Sequence, residues 1–170
     1  MGPLDEAMTL RAQGQLLAAL PHLQRATQEE PQNAEAWYWF AVTQDNLGME
    51  STAIPCYREA LRLGCREDAD AHACLASSLQ KTWNAAGGLG HILRALRKAP
   101  DHALYRFIHA NILADLRRWH EAEAEYRAAL RVDPSLGVAW HALGQLLGAS
   151  GRQHEAWEAY ETAYRYGQGY

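Results

Sequence analysis

Five alanines, Ala26, Ala60, Ala95, Ala129 and Ala163, succeed one another at intervals of 34, 35, 34 and 34 residues, each in a similar local frame. A sequence that returns to the same small residue at so regular an interval is an array of like units, and at this length each unit is a pair of antiparallel helices. One such pair cannot bury its own apolar face. The units must therefore stack, and the fold grows by adding neighbours rather than by enlarging one central core. The 170 residues read as a single domain of five units, approximately 1–33, 34–67, 69–102, 103–136 and 137–170.

Residues aligned to these alanines repeat as well. With Ala34 as the first position of a unit, the second unit sets out Trp37, Phe40, Ala41, Ala53, Tyr57 and Ala60. The fourth sets out Ala110, Leu113, Ala122, Tyr126, Ala129 and Pro134, and the fifth Trp140, Leu143, Gly144, Leu147, Ala156, Tyr160 and Ala163. On a helix of 3.6 residues per turn, Trp140, Leu143, Gly144 and Leu147 form one stripe, and Ala156, Tyr160 and Ala163 form another on the next helix. The small residues let paired helices approach closely while the bulky ones fill the grooves. Gly14, Gly48 and Gly151 mark turns where a positive φ is needed, and Pro31, Pro100 and Pro134 mark unit exits. These signals predict ten helices, 3–13, 16–29, 34–47, 50–63, 69–82, 85–98, 103–116, 119–132, 137–150 and 153–166. Pro21 and Pro55 fall at equivalent places inside second helices.

This order of aromatic, large apolar and small residues resembles the tetratricopeptide repeat family across essentially the whole chain. The resemblance implies an all-α fold, a right-handed superhelical α-solenoid of five helix-turn-helix repeats. The third unit departs from the pattern. Trp83 stands where the turn glycine belongs, Gly87, Gly88 and Gly90 crowd one helix, and Cys65 takes the expected proline position in a connection one residue longer. A looser connection followed by the weakest helix is expected there.

Composition narrows the function classes. A net charge of −4 with scattered arginines lacks the concentrated basic surface that nucleic acids and anionic membranes require, so neither partner is expected. No apolar stretch approaches the length of a membrane span. The three cysteines, Cys56, Cys65 and Cys74, match neither zinc-ligand pairs nor a disulfide framework, which suits reduced thiols and a cytoplasmic setting. The eight histidines map mostly to different repeat positions and do not converge as metal ligands must. With no nucleophile elbow, phosphate loop, dinucleotide fingerprint or zincin motif, no catalysis, metal or cofactor is expected.

The resemblance directs attention to the concave groove, which first helices line in this family. Its variable positions carried onto this chain give a partner-binding set of Tyr38, Val42, Asp45, Asn46, Ser77, Gln80, Lys81, Phe107, Asn111, His141 and Gln145. Aromatic anchors with amides and hydroxyls suit a peptide or helical segment of another protein. The family's clamp for chaperone-tail carboxylates is not implied, because its lysine and asparagine positions are here Tyr38, Val42, Cys74, Leu104 and Ile108. Two alternatives stand beside this reading. One is a homo-oligomer joined through the aromatic last helix, at Tyr160, Tyr164 and Tyr166. The other is an accessory domain or subunit of an enzyme or of a secretion or envelope assembly complex, a frequent role of bacterial members.

Overall fold

A computed structural model describes residues 2–167. Among them ten helices follow in order: α1 (Pro3–Ala12), α2 (Leu16–Glu29), α3 (Ala34–Asn46), α4 (Glu50–Leu63), α5 (Asp68–Lys81), α6 (Ala85–Lys98), α7 (Ala103–Asp115), α8 (Trp119–Val132), α9 (Gly137–Ala149) and α10 (Gln153–Gly167). No strand occurs among the described residues. Each predicted helix is present, its ends displaced by no more than one residue.

The reason is that one turn is used five times. Gly14, Gly48, Trp83, Arg117 and Gly151 all adopt positive φ, at 73°, 73°, 64°, 60° and 80°. In each case the next residue's N–H returns to the carbonyl five residues back. The bonds are Gln15 to Leu10, Met49 to Gln44, Asn84 to Leu79, Arg118 to Leu113 and Arg152 to Leu147, all between 2.8 and 3.0 Å. This satisfies a carbonyl that the helix end would leave unpaired, and it reverses the chain in three residues. Exits recur too. Trp37 Nε1 donates to the Pro31 carbonyl and Trp140 Nε1 to the Pro134 carbonyl, both at 2.9 Å, pinning the start of α3 and α9 to the preceding proline turn.

The connection from α4 to α5 is tied down by local contacts. Gly64 caps α4 at φ 79°, Cys65 N–H bonds the Ala60 carbonyl at 3.0 Å, and the Cys65 side chain is buried in the core. Arg66 N–H donates to the Glu35 carboxylate at 3.0 Å. Burying a small thiol after a left-handed cap serves as well as the missing proline.

The chain divides into two compact units between His91 and Ile92, inside α6. In the first, Tyr38, Ala41, Tyr57 and Ala60 pack with Ala71, Leu75 and Leu79 of α5, while Ala7, Ala19 and Leu23 fill the space between α1 and α2. In the second, Ala110, Leu113, Tyr126 and Leu130 pack with Ala139, Leu143 and Leu147 of α9.

Candidate protein-binding site

Within the second unit, the end of α7, the start of α8 and the second half of α9 enclose a groove of about 630 Å³. The left-handed turn at Arg117 sets Trp119 as the first residue of α8, on the rim and 49% exposed. Ala114, Tyr126, Ala142, Leu146 and Ala149 supply apolar walls, and Gln145, Ser150, His120, Glu123 and Arg152 supply polar ones. Tyr126 is held in place by donating its hydroxyl to Asn111 Oδ1 at 2.7 Å.

One wall carries an ion-pair network. Glu123 Oε1 accepts from Arg152 Nη1 at 2.7 Å and also from Arg127, while Arg152 Nε donates to Glu155 Oε1 at 2.7 Å. Burial alone would raise the Glu123 carboxyl, but hydrogen bonds from the two arginines outweigh it and hold the group below its ordinary range. The groove thus combines an exposed indole, an aliphatic floor and a fixed charge at one edge. Such a lining can bury apolar side chains and orient a peptide backbone.

Three sequence models described as tetratricopeptide repeat match residues 10–76, 75–137 and 138–166. The chain belongs to the tetratricopeptide repeat family. No curated protein matches it in sequence. Among solved structures it is similar to MamA from Desulfovibrio magneticus RS-1, with 16% identity, coverage of 98% of this chain and 93% of that one, and a TM-score of 0.84. It is also similar to YrrB, described as a TPR protein with an unusual peptide-binding site, at 21% identity, 99% and 86% coverage and a TM-score of 0.77. TTC0263, a thermophilic TPR protein from Thermus thermophilus, is 26% identical, with 98% and 91% coverage and a TM-score of 0.76. The tetratricopeptide fold is a scaffold for protein–protein interaction.

The tetratricopeptide positions predicted to face a partner separate by burial. Tyr38 is corrected from an accessible anchor to a core residue, 5% exposed. Its ring lies 5.0 Å from Trp39 and 6.4 Å from Tyr57, in the cluster that α5 covers. Val42 is half-buried against the same cluster, and Phe107 packs likewise in the second unit, 6.1 Å from the Tyr126 ring. Asp45 is brought to Lys81 at 3.7 Å and accepts from Ser78 at 3.3 Å, while Lys81 also meets Glu50 at 3.2 Å. Burial pushes the Asp45 carboxyl up, and Lys81 and Ser78 oppose the shift. Ser77 and Gln80 are half-buried and Asn46 is exposed. Asn111 spends its carbonyl on Tyr126.

Only Gln145 of that set lines the groove. His141 instead stands exposed, 5.4 Å from the ring of half-buried Tyr160. It joins Tyr160, Tyr164 and Tyr166 around a second hollow. Sequence reasoning missed Trp119, although a signal existed: the equivalent positions in the other repeats hold Leu16, Glu50, Ala85 and Gln153.

Burial pushes the Cys56 and Cys74 thiols up to about 11, so both stay protonated and are poor nucleophiles at neutral pH. No group of three or more potential metal ligands occurs among the described residues, nor is any described helix long and apolar enough to cross a membrane.

Proposed function

We propose that this chain is a non-catalytic interaction module that takes an extended or helical segment of a partner protein into the groove bounded by α7, α8 and α9. The observation that carries this reading is Trp119, a half-exposed indole at the mouth of a groove in which hydrogen bonds hold Tyr126, Glu123 and Arg152 in place. Aromatic side chains so placed supply most of the binding energy at protein interfaces, while neighbouring amides fix register. The peptide-binding site named for YrrB supports the same use of the fold. Cys56, Cys65 and Cys74 form no disulfide with one another, which favours a cytoplasmic setting.

Affinity capture from the native host with the wild type and with a Trp119→Ala, Gln145→Ala double variant tests the proposal. A partner identified with the wild type should bind the variant at least about tenfold more weakly in titration calorimetry, with the thermal midpoint unchanged. Equal affinity for both proteins removes the groove from consideration.

A further inference from the structure

Charge in the first compact unit is left unbalanced at one point. Four arginines are half-buried among the described residues. Three of them meet a glutamate: Arg106 pairs with Glu125 at 3.0 Å, Arg152 with Glu123 at 2.7 Å, and Arg127 with the same Glu123. Arg11, near the end of α1, meets no carboxylate among the described residues. Its side chain donates from Nη1 to a neutral group, the Thr43 hydroxyl of α3. Burial pushes the guanidinium below its ordinary range, and the groups that oppose the shift are Tyr38 and Tyr57. A cation drawn out of water costs free energy that a counter-ion would offset. Methionine, of similar length, would pack there without that cost.

The guanidinium is nevertheless held in one pose. Its central carbon lies over the Trp39 ring, 4.8 Å from the ring centre. Thr43 is fully buried and donates its hydroxyl to the Trp39 carbonyl at 2.7 Å, which leaves its oxygen to accept from Arg11. With Nη1 engaged and the plane set by Trp39, the remaining edge presents Nε and Nη2, which no acceptor takes among the described residues. This chain shows what such an edge holds. Arg62 uses Nε and Nη2 to grip Glu59 at 2.8 and 2.6 Å, and Arg118 grips Glu121 in the same way at 2.7 and 2.6 Å. Two parallel N–H groups match the two oxygens of a carboxylate. Phosphate is a poorer match, because no second cation acts on Arg11 and one guanidinium does not balance a dianion.

We propose that Arg11 is a carboxylate-binding site, at which an acidic peptide pairs one carboxylate with the Nε and Nη2 edge while Trp39 and Thr43 hold the guanidinium in place. The site belongs to the first compact unit and does not use Trp119. It also differs from the family's clamp for chaperone-tail carboxylates, whose counterparts here are Tyr38, Val42, Cys74, Leu104 and Ile108.

Three short peptides test it, titrated into the isotope-labelled protein at constant ionic strength. N-acetyl-Ala-Glu-Ala-amide offers only a side-chain carboxylate, N-acetyl-Ala-Gln-Ala only a chain-end carboxylate, and N-acetyl-Ala-Gln-Ala-amide neither. At least one of the first two should move the Arg11 Nε–H and Trp39 indole resonances saturably, and whichever does so names the source of the carboxylate. The neutral peptide should leave both resonances unmoved. Arg11→Lys keeps the charge but loses the paired N–H groups, and should bind about tenfold more weakly by the Trp39 signal. Arg11→Gln should lose the response, with the circular dichroism of both variants unchanged. The proposal is overturned if neither carboxylate peptide gives a saturable shift, or if the neutral peptide or inorganic phosphate gives an equal one. It is equally overturned if exposed Arg58 and Arg131 respond with the same affinity, or if Arg11→Gln binds as the wild type does.

Discussion

At the scale of single residues, the turn conformation outranks the residue that adopts it. Trp83 and Arg117 take φ values of 64° and 60° because their repeats need the same reversal that glycine makes at Gly14, Gly48 and Gly151. A side chain in that region costs about 1–2 kcal/mol, and Trp83 recovers little of it by packing, being 97% exposed. Trp83→Gly and Arg117→Gly should therefore each raise stability in urea unfolding by about 0.5–1 kcal/mol, after allowing for the greater freedom of glycine in the unfolded chain. A loss of stability in either variant would mean that the side chain makes contacts worth more than the strain. The turn was legible from repeat alignment alone; burial was not. Tyr38 and His141 occupy the same repeat position, yet Tyr38 is sealed under α5 while His141 stands exposed. Position within a repeat tells which way a side chain leaves the helix. What lies over it depends on the following helix.

At the scale of elements, α6 separates two uses of glycine. Gly87 N–H donates to Asn84 Oδ1 at 3.0 Å, and a Cβ on Gly87 would come within 2.7 Å of that same side chain, so this glycine makes room for the helix cap. Gly90 has nothing within 4 Å of where a Cβ would stand and only weakens the helix. Gly90→Ala should stabilise the protein by about 1 kcal/mol, and Gly87→Ala should gain nothing or lose stability as the cap is displaced. Equal gains from both substitutions in thermal unfolding would contradict this division of roles. The helices themselves were readable to within a residue because glycine and proline punctuate each unit and the period supplies the register. The groove was not readable, because Trp119 lies on a second helix and Glu123 and Arg152 meet from α8 and the turn before α10. Partners 29 residues apart that follow no repeat rule leave no periodic mark.

At the scale of the whole chain, stability should be distributed rather than pooled. Each of the two compact units has its own buried cluster, around Tyr57 and Leu75 in the first and around Tyr126 and Leu143 in the second. In repeat arrays the free energy is close to a sum of local and nearest-neighbour contributions, so a cavity is felt first by the helices that line it. Leu143 is 3% exposed, and Leu143→Ala should cost about 2–5 kcal/mol. Amides of α8, α9 and α10 should then exchange with deuterium about thirtyfold faster or more, and those of α2, α3 and α4 should change far less. Leu75→Ala, fully buried in the first cluster, should reverse the pattern, accelerating α3, α4 and α5 while sparing α9 and α10. If both substitutions speed exchange equally in every helix, the chain opens as one cooperative body, and the two clusters do not hold stability separately.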